Sequence, residues 1–301
     1  MRYLTIARCS LLLIGLPFVA GCGTAPPPVQ VDMRQAVALR ADLEAGGGSA
    51  ASEAAPTETP QGWATLRGRF KIAGATPERK PMSVDKEREV CAPGGMTPLS
   101  EEIVVGPDGG IKDVVIFLSQ SIPADEPWTH SGSKPGKNDE VLFDQKACQF
   151  LTHVLAVQTS QPLKIKNSDP IGHNTSLKPK KNRQDDQTVA SGSSTTYLAK
   201  VEEPEPFRVS CAIHPWMTAY IIIRDNSYIA VSKPDGSFEI PNLPSDVNLE
   251  FRVWQEKLGF VQTVSVNGQP QKWAKGKVKL KLETDKPLDL DVAIDSSLFS
   301  K

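Results

Sequence analysis

The chain has 301 residues, with 34 Lys and Arg against 35 Asp and Glu, and five Cys. That length suffices for one large or two ordinary domains, and a formal net charge of −1 lacks the basic surplus of a dedicated nucleic-acid binder. At 39% hydrophobic residues, with 22 Gly and 25 Pro, the composition excludes disorder throughout and points to a turn-rich protein with few helices.

Arg2 and Arg8 precede an apolar run at 11–20 that is too short to span a bilayer and has the form of a signal-peptide core. It ends in Val19-Ala20-Gly21-Cys22, the small residues and Cys of a bacterial lipobox. Residues 1–21 are therefore expected to be removed and Cys22 to carry lipid. The mature protein would then be membrane-anchored in the bacterial cell envelope, periplasmic or at the cell surface. A plain signal peptide with a chance Cys is the alternative. Residues 22–62 read as a flexible tether: 23–60 hold no aromatic side chain, and they include Pro26-Pro27-Pro28 and Gly46-Gly47-Gly48. The stretch 34–44 allows one short helix.

From Trp63 onward the pattern is strand. Leu66, Phe70 and Ile72 alternate with polar residues, interrupted by Gly68, and 111–118 forms a strand after the turn at 106–110. Residues 119–140 read as a long loop. Short β runs follow at 150–157, 163–166, 195–199, 207–211 and 220–223, the spacing of a sandwich. Further strands are expected at 228–231, 238–240, 249–254 and 264–266, the last followed by the hairpin signal Asn267-Gly268. Val278, Leu280 and Leu282, then Leu288, Leu290, Val292 and Ile294, alternate with polar residues in the period of two that marks a strand with one buried face.

Cys9 leaves with the signal and Cys22 takes lipid, so three Cys remain. Outside the cytoplasm thiols tend to pair, and an odd count leaves one for another role. Cys211 stands in a ligand-like string, which makes Cys91 and Cys148 the expected disulfide; other pairings, or three reduced and buried thiols, stay open.

That string is Cys211-Ala-Ile-His214-Pro-Trp-Met217, between two strands, with Asn167-Ser-Asp-Pro-Ile-Gly-His173-Asn174 upstream after another strand. Two imidazoles, a thiolate and a thioether are the donors of a trigonal blue-copper site with a weak axial Met. A chance Cys/His/Met loop, or a structural zinc site, is the competing reading, though zinc usually takes a fourth strong ligand.

With these motifs the chain resembles the cupredoxins, and the Cys-x-x-His-x-x-Met spacing is similar to that of the amicyanin type. The resemblance implies a cupredoxin Greek-key β-sandwich holding one type 1 copper on His173, Cys211, His214 and Met217. Asn174 would brace the two ligand loops, with Asn167 in support. His214 would be the partly exposed ligand through which electrons enter. Ile213, Pro215 and Trp216 would then form a small apolar face for a redox protein partner. Gly68-Arg-Phe and the segment 235–244, Asp-Gly-Ser-Phe-Glu-Ile-Pro-Asn-Leu-Pro, look like parts of a carboxypeptidase-regulatory-like (transthyretin-like) β-sandwich. Ser245-Asp246 stands where that family carries Gly. The expected fold is thus all-β, with a cupredoxin-like domain at 121–225 and a second, discontinuous sandwich from 63–120 and 226–301. The pairing is similar to secreted bacterial proteins of the methylamine-utilisation-like type.

The function expected is one-electron transfer rather than catalysis, with neither nucleic acid nor a small-molecule substrate. There is no nucleophile–base pair in a recognisable context, and four His are too few for an additional His-rich copper centre. Copper storage or delivery, and an envelope scaffold without redox function, are the alternatives. His153 reads as a strand His satisfied by a backbone carbonyl, His130 as exposed, and 178–183 as a solvated basic loop near His173.

Overall fold

The computed structural model describes residues 58–134 and 139–300. The expected signal at 1–21, the lipidated Cys22 and the tether up to residue 57 lie outside the described residues. The end of that tether is laid down: the Glu58 carboxylate accepts from the Asn248 backbone N–H at 3.0 Å. No helix among the described residues is long and apolar enough to cross a membrane.

The chain is all-β, with four sheets packed as two sandwiches. In the first sandwich one sheet runs in the order Ser237–Pro244, Trp63–Ala73, Leu288–Asp295, Thr263–Val266, Gln269–Lys272. Its partner sheet runs Ile229–Val231, Val115–Leu118, Asn248–Gln255, Gly259–Phe260, with Lys277–Lys281 also paired to Asn248–Gln255. Leu66, Phe70, Ile116, Phe251, Leu290 and Val292 meet between these sheets. The strand Leu288–Asp295 shows why the period of two specifies it: Leu290, Val292 and Ile294 are buried while Asp289 and Asp291 face water. Asn267 and Gly268 take φ of 48° and 82°, the left-handed pair that a two-residue hairpin turn needs.

In the second sandwich one sheet runs Val154–Gln158, Thr218–Arg224, Phe207–Ser210, His173–Leu177, Asp185–Val189. The other runs Gln149–Phe150, Val141–Lys146, Leu163–Asn167, Ser194–Tyr197. Phe143, Ile165, Leu177, Val209, Ile221 and Met217 belong to this core. The two sandwiches join through a smaller apolar cluster of Val115, Phe117, Val154, Ile222 and Trp254.

Residues 63–120 do not all serve one sandwich. Between the strands Trp63–Ala73 and Val115–Leu118 the chain crosses over, and Val84, Cys91 and Ala92 pack into the core of the second sandwich. A single-turn helix, Arg88–Cys91, lies in this crossover. A disulfide from Cys91 to Cys148 ties it to the turn between Val141–Lys146 and Gln149–Phe150. The crossover carries scattered apolar residues without a period, so nothing local announces which core it joins.

Candidate metal centre

The site lies at one end of the second sandwich, where two connecting loops and the crossover meet. The first leads from Asn167 to His173. The Asn167 side chain donates to the carbonyls of Ile171 at 2.8 Å and Val189 at 2.9 Å and accepts from the Asp169 N–H at 3.0 Å, which sets the loop's path. His173 then opens the strand His173–Leu177 with its ring fully buried.

The second connection is the tight loop from Cys211 to Met217. It is closed by backbone hydrogen bonds from Met217 N–H to the His214 carbonyl, 2.9 Å, and from Cys211 N–H to the Met217 carbonyl, 3.3 Å. Asn174 braces it against the first: its N–H donates to Cys211 Sγ at 3.3 Å, and its side-chain oxygen accepts from the Ala212 N–H at 3.1 Å. The His214 N–H also points at Cys211 Sγ, 3.4 Å away. Two N–H donors aimed at one sulfur hold it where the two loops meet.

The two rings meet edge to face, centroids 4.7 Å apart. His173 Nδ1 lies 2.9 Å from His214 Nδ1, and Cys211 Sγ lies 3.7 Å from His214 Nδ1. The far nitrogens are both engaged by carboxylates: His173 Nε2 bonds Asp169 at 2.6 Å, and His214 Nε2 bonds Glu87. A carboxylate partner places the proton on Nε2 and leaves the Nδ1 lone pair free. Both lone pairs then face each other beside a sulfur. That arrangement is repulsive unless a proton or a cation lies between them, so the donor set fits a thiophilic, imidazole-binding metal ion. Burial lowers the His173 pKa against the opposing hydrogen bond and charge of Asp169, which favours the neutral, ligating ring. Met217 is buried in the same core, on the same loop.

Asp169 stands in the Asn-x-Asp…His string of the sequence but was assigned no role there, and Glu87 was not singled out. Asp169 lies four residues before His173, and a carboxylate so near a candidate ligand could have been flagged. It also accepts from the N–H groups of Ala147, 2.6 Å, and Cys148, 2.8 Å, linking His173 to the disulfide. Glu87 lies 127 positions from His214 and offers no sequence signal.

The expected exposure of His214 is corrected: the ring is fully buried, and Glu87 from the crossover covers its outer nitrogen. Ile213 and Trp216 are half-buried and pack on the core, and Trp216 Nε1 donates to the Cys148 carbonyl at 3.2 Å. Of that trio only Pro215 is exposed. His153 does not bond a carbonyl; its Nε2 pairs with Glu256 at 2.5 Å. His130 is half-buried, its ring edge-on to Trp63 and its Nδ1 accepting from the Gly132 N–H. The basic stretch 178–183 wraps an acid: the N–H groups of Lys180, Lys181 and Asn182 converge on the buried Glu203 carboxylate.

No protein-family model matches the chain, and no curated protein does. Among solved structures it is similar to amicyanin and other cupredoxins. An amicyanin variant in the Cu(I) form matches at 11% identity over 29% of this chain and 83% of that one, with a TM-score of 0.26. The purple cupredoxin from Nitrosopumilus maritimus matches at 12% identity over 29% of this chain and 99% of that one, TM-score 0.24. The copper-containing nitrite reductase from Thermus scotoductus matches at 16% identity over 34% of this chain and 27% of that one, TM-score 0.27.

Proposed function

We propose that this chain is a mononuclear copper protein that carries one electron at a time, anchored by lipid on Cys22 in the bacterial cell envelope. The observation that carries the reading is the convergence of His173 Nδ1, His214 Nδ1 and Cys211 Sγ in a buried pocket whose outer nitrogens are held by carboxylates. Copper bound there would supply a one-electron couple. His173, Cys211 and His214 would hold it, with Met217 on the same loop as the weak fourth donor.

The rest of the site keeps those donors in place. Asn174 and the closed loop fix the sulfur, Asp169 and Glu87 fix the rings, and burial excludes water. A donor set fixed before the metal binds changes little when the charge on the metal changes, which suits fast electron exchange. The other two His, His130 and His153, are engaged elsewhere, so no further His pair adjoins the site to build a second copper centre. That supports a carrier over a catalyst. The Glu87 cover on His214 favours a second reading, copper holding without exchange, because it closes the imidazole edge.

The test is the absorption and EPR spectrum of the Cu(II)-loaded protein. An intense visible charge-transfer band with narrow copper hyperfine splitting is expected, and Cys211→Ser should abolish the band. A colourless loaded protein, or a band that survives Cys211→Ser, defeats the assignment. Electron self-exchange, measured on the same sample, separates a carrier from a store.

A further inference from the structure

We propose that reducing the Cys91–Cys148 disulfide creates an alternative, thiolate-based Cu(I) position beside the first, built from Cys91, Cys148 and the His214 imidazole that either position can use. This goes beyond the copper reading above and does not require it to hold.

The ligand atoms of Cys91, Cys148 and His214 all lie within 4.8 Å of one another, and all three residues are fully buried. Those of Cys148, Asp169 and His173 converge within the same limit. Cys148 therefore adjoins both imidazoles of the metal centre.

The backbone of each cysteine is held by contacts other than the S–S bond. The Cys148 N–H donates to Asp169, and its carbonyl accepts from Trp216 Nε1. Ala147 and Cys148 hold φ of 52° and 53°, left-handed values that non-glycine residues rarely adopt and that this two-residue hairpin turn requires. Cys91 closes the turn that begins at Glu87, its N–H donating to the Glu87 carbonyl at 2.9 Å, while the Glu87 side chain holds His214. After reduction these contacts still keep both residues beside the imidazole.

The chemistry balances with a dithiol reductant. Its two thiols deliver two electrons and two protons, the Cys91–Cys148 bond breaks to two thiols, and the reductant closes to its own disulfide. Cu(I) then displaces both thiol protons. Two soft thiolates with one imidazole select Cu(I) over harder ions.

The experiment uses the full chain, anaerobically, with Cu(I) presented against a competing chelator. Cys211→Ser takes the only thiolate from the first position and leaves His173, His214 and Met217, too weak a set to hold Cu(I) against the chelator. With the disulfide intact this variant is expected to retain no Cu(I), and after reduction to retain one ion per chain. Adding Cys148→Ser should lose that ion. A wild-type measurement guards against a misfolded variant: X-ray absorption of the bound Cu(I) should show more sulfur per copper after reduction than before. Reduced Cys211→Ser that retains no Cu(I), together with an unchanged sulfur signal in the wild type, overturns the proposal. A wild-type protein that gives no blue Cu(II) site defeats the earlier reading and leaves this result free to stand.

Discussion

At the scale of single residues, the two carboxylates behind the imidazoles should differ in weight. The Asp169 carboxylate is buried and holds three partners: His173 and the N–H groups of Ala147 and Cys148. Glu87 is 43% exposed at its side chain, and water can replace part of what it does. Removing an outer partner of a metal-bound His typically costs about ten- to a hundredfold in metal affinity. Asp169→Ala is expected near the top of that range and Glu87→Ala near the bottom, as read by copper competition against a chelator. Glu87→Ala should also speed electron exchange, because it uncovers the one His214 nitrogen that faces outward. Equal losses from the two substitutions would mean that burial does not set their weight.

At the scale of elements, the parallel pairing of Trp63–Ala73 with Leu288–Asp295 holds the first sandwich together from opposite ends of the chain. Gly68 interrupts the alternation of that first strand for a steric reason: a Cβ there would lie 1.9 Å from the Leu290 carbonyl oxygen. Gly68→Ala must push the two strands apart, and overpacking at this half-buried position costs about 1–3 kcal/mol. Denaturant unfolding should show that loss with the copper spectrum unchanged, since the second sandwich has its own core. The same element shows what is legible in sequence. Period-two strands, the Asn267-Gly268 hairpin and the Cys211–Met217 loop are local patterns, and the period-two strands and the turn fold where they were read, whereas the run at 150–157 divides into Gln149–Phe150 and Val154–Gln158 in different sheets. Glu87, the crossover and the Glu203 cradle depend on contacts tens of residues away, and a single sequence carries no trace of such pairings. The exposure of His214 was misread for the same reason: its loop is local, but its cover is not.

At the scale of the whole molecule, the two sandwiches meet at a charged knot beside their apolar seam. His153, from the second sandwich, pairs with Glu256 and lies 3.8 Å from Glu101, while Lys112 bridges Asp113 and Glu101. Burial pulls the His153 imidazole down, but its hydrogen bond to Glu256 and the charges of Glu256, Glu101 and Asp113 outweigh this, so its pKa is raised. Burial likewise pushes the nearby Tyr220 phenol up to about 12, which keeps it neutral through the range that matters. A His with a raised folded pKa stabilises the protein fully below its unfolded pKa of about 6.5, and the contribution is lost as pH rises through the folded value. His153→Gln keeps a hydrogen-bonding side chain but cannot titrate. At pH 6 it should be less stable than the wild type by about 1.5–3 kcal/mol, the range for a hydrogen bond to a charged group. That deficit should shrink as pH rises above neutrality, because the wild type loses its imidazolium while the variant has none to lose. Paired denaturation curves at pH 6 and pH 9 measure both. A deficit that stays constant across that interval would mean His153 joins the sandwiches by shape and neutral hydrogen bonding, with its charge playing no part.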